Sequence, residues 1–447
     1  MINTIKYIAY FLISTSVNLL FFHSAWANLP IQKVSLPSGA QVYVVSSMGI
    51  PMVDVQIEFD AGGRRDPAGL AGLASATSSQ LSKGALASMG RPALDENQLG
   101  EAWADLGASF GASAGDDRMG FSLRSLTYPD LLPKSIALAA QQMAAPAFTN
   151  ALWLRDAQRL SASIKEANTK PATIANRRFN AAVYGMHPYG NELTQDSLER
   201  ITTDAMRSFY AAHVRACRAK VSIVGAVTQE QAVQMANQLL AGLPQSGCDS
   251  LPVVSEVQPL TGAQNITVPF DSAQAHVMIG QPGYKRNDPD FFALLVGNHI
   301  LGGGGFTSRL TREVREKRGL SYSVYSYFSP GLHAGAFAVG LQTRPDQAAQ
   351  AVQVSRDVLA SYVAAGPTLE ELQAAKDNLI GGFALRIDSN KKLLDNVANI
   401  AWLDLPLDYL TIWTQRVAQI TQADIQAALQ RKLQPAAMVT VVVGGTN

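Results

Sequence analysis

The sequence predicts an α+β fold written twice, with two similar halves of roughly 200 residues, each an antiparallel sheet with helices packed on it. Three observations lead there. The first is an internal repeat: VQIEFDAGGRRDP (Val55–Pro67) and VMIGQPGYKRNDP (Val277–Pro289) have equal length, and each runs from an alternating strand into a basic turn closed by Asp-Pro. A second pair, Ile201–Gly225 and Ile420–Gly444, opens with Ile-Thr before an amphipathic helix and closes in a β-branched strand ending Val-Gly. Pro67 and Ile201 are 134 residues apart, and Pro289 and Ile420 are 131 apart. The second observation is the alternation of period two with a period near 3.6 along each half. The third is a stretch rich in Pro, Ser, Gly and Gln, residues 243–269, which has the composition of a linker.

The elements follow in order. Residues 1–27 read as a secretory signal: Lys6, an apolar run, then Ala25-Trp26-Ala27 before cleavage at Asn28. The rival reading is an uncleaved anchor helix, which the A-x-A site disfavours. After cleavage the chain should be soluble and exported, with no membrane association. The first half is then 28–242 and the second 270–447. Ala40–Ser47 and His333–Thr343 alternate as strands, and Glu96–Gly107 and Thr368–Ile387 repeat as helices. Asp66–Ala85 reads as a helix with Leu70, Leu73, Ala74, Thr77 and Leu81 towards a core, yet from Pro67 to Ser82 it carries no charge and no histidine. A long linker would let the halves face each other across a gap, a natural binding site.

Composition excludes several classes. Without Lys6 the 36 basic residues fall to 35, equal to the 35 acidic ones, so nothing points to nucleic acid or an anionic membrane. Cys217 and Cys248 are the only cysteines. Export permits a bridge between them, and the plainer expectation is one buried and one loop thiol. G-x-S-x-G occurs at Gly107–Gly111 and Gly111–Gly115, but a helix precedes it and a strand follows, the reverse of a nucleophile elbow. Leu301–Leu310 has four glycines, Gly302, Gly303, Gly304 and Gly305, with no lysine for a phosphate. Such a loop suits close backbone contact with a peptide. His187, His213, His276, His299 and His333 are too scattered for a zinc set; His187 in HPYG reads as a loop residue and His299 as a buried helix residue. In Leu310–Ser329 a helix should end at Gly319 and a strand follow, with Arg318 at the helix end and Tyr322 on the strand. Arginine there complements the helix dipole, and both side chains can also donate hydrogen bonds to a ligand.

SRLTREVREKRGLSYSVYS, the preceding LGGGGF, HPYG and the two-half layout together resemble the pitrilysin (insulinase) metallopeptidases, in particular their short, mitochondrial-processing-peptidase-like branch. The resemblance implies two α/β rolls forming a clam shell around a peptide chamber. Active members carry H-x-x-E-H just after a G-L-A sequence, where two histidines hold zinc and the glutamate activates water. The matching positions here are Gly72, Ser75 and Ala76, and the third-ligand glutamate falls on Ser163, with Glu166 nearby. The chemically empty helix is therefore the place of a catalytic helix without its ligands, and neither zinc nor another cofactor is expected in this chain. The resemblance carries over Arg318 and Tyr322 as the pair that binds substrate carbonyls. It implies a non-catalytic, substrate-binding subunit of a periplasmic heterodimer, with zinc in a homologous partner and a peptide as substrate. The alternative is a structural or peptide-binding member with no role in proteolysis.

Overall fold

A computed structural model describes residues 30–445, and from Ile31 onward they form one compact body. The signal read at residues 1–27 lies outside the described residues. The first half runs β1 (Gln32–Ser35), β2 (Gln41–Ser46), β3 (Met52–Phe59) and α1 (Leu73–Gln80), followed by a small hairpin, β4 (Gly84–Ala85) and β5 (Leu94–Asp95). Next come α2 (Glu96–Asp105), β6 (Ser109–Ala114) and β7 (Met119–Leu126). Five helices follow: α3 (Leu132–Ala144), α4 (Asn150–Ala167), α5 (Pro171–Tyr184), α6 (Gln195–Arg200) and α7 (Thr203–His213). The half closes with β8 (Lys220–Gly225) and α8 (Gln229–Leu240).

The second half has β9 (Gln264–Val268), β10 (Ala275–Pro282), α9 (Phe291–Asn298), β11 (Val324–Phe328) and β12 (Ala336–Thr343). It ends with α10 (Ala348–Ala365), α11 (Leu369–Gly381), α12 (Asn390–Trp402), α13 (Tyr409–Gln419), α14 (Gln422–Lys432) and β13 (Val439–Val443). β9 lies inside the stretch expected as linker. Its sequence QNITV has only two apolar residues, Ile266 and Val268, and is largely exposed, so the alternation is too short to stand out.

The strand orders are β1-β2-β8-β3-β7-β6 and β11-β12-β10-β13-β9. Setting β3 on β10 and β8 on β13 superposes the two orders, with β1 as the first half's extra edge. Each sheet is antiparallel except at one pairing, β2 with β8 and β9 with β13. The returning strand inserts beside the first one after a helical crossover, which is the connection that parallel neighbours require. The expected two rolls and clam shell are therefore present.

Two equivalent helices cross between the halves. α5 starts 104 residues after Pro67 and α12 starts 101 residues after Pro289, so they occupy equivalent places in the repeat. Each packs on the other half's sheet, α5 on β10 and β13, α12 on β3 and β8. Ala175, Phe179 and Val183 of α5 form one buried cluster with Met278, Ala338, Val439, Val441 and Val443. Gly280 makes room for it: a Cβ there would lie 2.8 Å from the Phe179 ring and 2.0 Å from the Phe337 carbonyl oxygen. Cys217 and Cys248 form a disulfide, which replaces the expected pair of thiols and ties the linker's start to the end of the first roll.

Candidate functional site

The α1 corner is built as a helix terminus, without the elements of a metal centre. Asp66, from the Asp-Pro turn, accepts hydrogen bonds from the Gly72 and Ala74 N–H groups (2.7 and 2.8 Å). Burial pushes its carboxyl up to about 6, against the pull of those N–H groups. Leu73, Ala74, Thr77 and Leu81 are buried as the apolar spacing predicts. Gly72 has φ +93°, and a Cβ there would sit 2.7 Å from Leu193 Cδ1 and 3.0 Å from its Cβ. The first ligand position is therefore both conformationally unsuited to a side chain and occupied by a neighbour. Ser75 is exposed and Ala76 is buried among apolar groups.

α4 meets α1 through Asp156, which accepts from Gln80 Nε2 (3.0 Å). Ser163 and Glu166 lie two or more helical turns further along α4, both exposed. Asp156 belongs instead to an ionic knot with Lys83, Glu96 and Arg155. Among the described residues no three His, Cys, Asp or Glu side chains are grouped to hold a metal ion. Zinc therefore does not fit this corner.

At the edge of the second sheet the glycine run winds through a wide helical turn, His299–Gly303, and a tight one, Gly305–Thr307. Packing demands Gly302, where a Cβ would be 2.4 Å from the Ser326 nitrogen, and Gly304, where it would be 2.7 Å from the His299 carbonyl oxygen. Gly303 is crowded by Asn298, whereas Gly305 has φ +62° and open space beside it. The run thus seats the chain against β11 as well as exposing it. His299 is half-buried at the start of that turn, as part of the packing.

Residues Thr311–Glu316 form another wide turn, and Gly319 (φ +62°) ends it as the sequence predicts. Arg318 folds back: its Nη1 donates to the Glu313 carbonyl oxygen and to Glu313 Oε2, both at 2.8 Å. Lys317 and Arg318 hold the Glu313 carboxyl below its ordinary range. The guanidinium at Tyr322 is that of Arg315, 4.8 Å from the Tyr322 ring centroid and 4.9 Å from that of Phe306. Tyr322 is 81% exposed and Phe306 71% exposed. The resemblance singles out Arg318 and Tyr322 and not Arg315, whose place over the Tyr322 ring follows from the winding of the wide turn, which leaves no mark in the sequence. Ser109 and Ser113 lie within edge strand β6, consistent with rejecting the nucleophile elbow.

HPYG is not a surface loop. His187 is 7% exposed, and Tyr184 and Tyr189 beside it bond across to the second half: the Ala336 N–H donates to Tyr184 Oη (2.9 Å) and the His333 N–H to Tyr189 Oη (3.2 Å). Among the described residues no helix is long and apolar enough to cross a membrane.

The family model for insulinase (Peptidase family M16) matches residues 42–197, and that for the Peptidase M16 inactive domain matches 200–379. The fold matches the crystal structure of a peptidase M16 inactive domain from Pseudomonas fluorescens with a TM-score of 0.87 and 31% identity, covering 93% of this chain and 98% of that one. The periplasmic protease PqqL from Escherichia coli matches with a TM-score of 0.79 over 93% of this chain and 46% of that one; at 18% identity the likeness concerns the fold alone. A Streptomyces coelicolor relative, the uncharacterized zinc protease SCO5738, is 30% identical over 269 residues, 58% of this chain and 57% of that one. The Helicobacter pylori non-peptidase homolog YmxG is 27% identical over 301 residues, 65% of this chain and 67% of that one. The chain spans about half the length of the first curated relatives it matches. With both halves matched by its models and a 31%-identical structure covered almost end to end, the chain belongs to the M16 (insulinase) peptidase family.

Proposed function

We propose that this chain is a non-catalytic, substrate-binding subunit that orients an extended peptide for a zinc-bearing M16 homologue in the periplasm. One observation carries the reading: the corner that would hold zinc is filled by Leu193 against Gly72, while the turn just ahead of β11, where Tyr322 lies outside the strand expected to hold it, offers an exposed tyrosine backed by an arginine. Arg315 makes no ion pair among the described residues, so its N–H groups are free to meet peptide carbonyls or carboxylates. Tyr322 adds a hydroxyl and an open ring face. The glycine run 302–305 borders the pair, and Arg318 supports it by holding Glu313.

In this reading the chain has no turnover alone and confers turnover when mixed with its zinc-bearing partner. Arg315→Ala or Tyr322→Phe in the mixture lowers kcat/KM about tenfold or more while assembly persists, as for a lost hydrogen bond to a charged or developing group. Unchanged turnover with both variants defeats the reading. The second reading, a structural or peptide-binding protein without proteolysis, is favoured by the relative described as a non-peptidase homolog. Peptide binding that no zinc-bearing homologue converts to cleavage would select it.

A further inference from the structure

Four segments converge where the turn after α5 meets the second half. They are the HPYG turn (187–190), the β6–β7 connection at Asp117, the linker at Glu256, and the approach to β12 at residues 331–334. His187 sits at their centre, its ring 4.7 Å from that of Tyr189 and 4.9 Å from that of His333. Its Nδ1 accepts the Tyr189 N–H at 3.1 Å. An imidazole nitrogen that accepts carries no proton, so the neutral ring holds its hydrogen on Nε2, which is buried. Tyr189 in turn donates its hydroxyl to Asp117 Oδ1 (2.6 Å), and the other oxygen of Asp117 accepts the Leu332 N–H (3.0 Å). Gly331 gives this relay its space, since a Cβ there would lie 2.6 Å from Tyr189 Oη.

We propose that His187 is an acid-sensitive latch: a second proton on its ring ejects the Tyr189 N–H and loosens the turn's hold on the second half. The chemistry is a matter of counting. Imidazolium has two donors and no acceptor, so protonated Nδ1 and the Tyr189 N–H would face each other, donor to donor. The Tyr189 side chain, anchored through that backbone, then loses its alignment with Asp117 and with the His333 N–H. The charged groups around the ring set the threshold. His333 adds like charge when protonated, and its Nδ1 is 3.5 Å from Glu256 Oε1. Glu256 is already engaged by Lys285 and by the Ala334 N–H (2.9 Å). Asp117 is engaged by Arg64 (3.1 Å), and Tyr184 stands 6.4 Å away, ring to ring. Burial, then His333, push His187 below the usual imidazole range, against weaker pulls from Glu256, the Ser255 backbone and Asp117. The latch is therefore closed at neutral pH, and its stabilisation is lost as pH falls below the ordinary histidine value and through the depressed one.

The test is amide hydrogen exchange on the full chain between about pH 7.5 and about pH 5, corrected for intrinsic rates. The Tyr189, Leu332 and His333 amides should exchange faster on acidification, by up to about tenfold per pH unit, while amides of β10 do not follow. Buried carboxyls such as Asp66 and Glu58, raised by burial, gain from acidification and act with the opposite sign, so a local readout separates them. His187→Gln keeps an acceptor for the Tyr189 N–H but cannot titrate, and should abolish the acid response. If that variant fails to fold, His333→Gln decides instead: removing the like charge should move the response to higher pH. The same acid response in His187→Gln, an unmoved response in His333→Gln, or a wild-type response shared by β10 would each overturn the latch.

Discussion

The seam that α12 makes with the first sheet and the seam that α5 makes with the second are equivalent by position and unlike in chemistry. The α5 seam is apolar, with Ala175, Phe179 and Val183 buried on a strand pair that keeps Gly280 bare. The α12 seam is charged. Glu58 on β3 is 2% exposed and pairs with Arg118 at 2.8 Å; Arg118 also donates to Asn399 Oδ1 (2.6 Å) and lies over the Trp402 ring. Lys220 caps the end of α12, donating to the Ala401 carbonyl oxygen (2.8 Å) and to Asp404. A lysine there completes the helix's last carbonyls and meets its negative end. The difference teaches a division of labour. Apolar burial supplies cohesion regardless of pH, whereas the Glu58–Arg118 pair lies within the first half, contributes little net stability and presents Arg118 to Asn399 and Trp402 of α12.

The largest effect should come from emptying the apolar seam. Phe179→Ala should cost about 3–5 kcal/mol in denaturant unfolding, since it opens a cavity under a helix that the rigid strand pair cannot follow. A cost below about 1 kcal/mol would mean that the seam contributes little and that the two are not contrasted as described. Next comes the contrast between the filled corner of the first half and the exposed edge of the second. Grafting Gly72→His, Ser75→Glu and Ala76→His together should lower stability by about 1–3 kcal/mol through overpacking against Leu193, and metal analysis should find no stoichiometric zinc. Tight zinc binding by that variant would show that missing side chains alone empty the corner. The smallest effect belongs to the charged seam. Burial, partly offset by Arg118, pushes the Glu58 carboxyl up to about 7 from its ordinary 4.5. The folded state thus binds more protons than the unfolded one between those values, and wild-type stability falls as pH rises through them. Glu58→Gln should remove that slope, leaving the variant ahead by roughly 1 kcal/mol above pH 7 and not at pH 4, read as a difference in thermal midpoint across pH. Parallel pH profiles would place the charge cost elsewhere.

Much of this architecture was legible in one dimension. The paired Asp-Pro turns, the Ile-Thr helix starts and the Val-Gly strand ends recur at nearly equal spacing, because each marks a backbone event that the residue type itself imposes. The lack of an H-x-x-E-H was equally plain, since a motif of side chains is read directly, whereas the assignment of Gly72, Ser75 and Ala76 to its place came from the resemblance. Arg318 shows the limit. It is the nearer of two arginines in sequence, but the wide helical turn swings Arg315 over Tyr322 and leaves Arg318 bound to Glu313. His187 shows it again, since Pro188 and Gly190 signal a turn while its burial draws on residues as distant in the chain as His333.

What the sequence by itself determined is what is local and chemical: the repeat, the element types, the lack of an H-x-x-E-H and a net charge close to zero. Only the tertiary structure decided that equivalent helices trade sheets, that Leu193 fills the corner, that two distant cysteines meet, and which arginine faces the tyrosine. The physical reason is range. Propensity, capping and side-chain chemistry act over a few residues, whereas packing is settled by shapes that meet only after the chain has closed on itself.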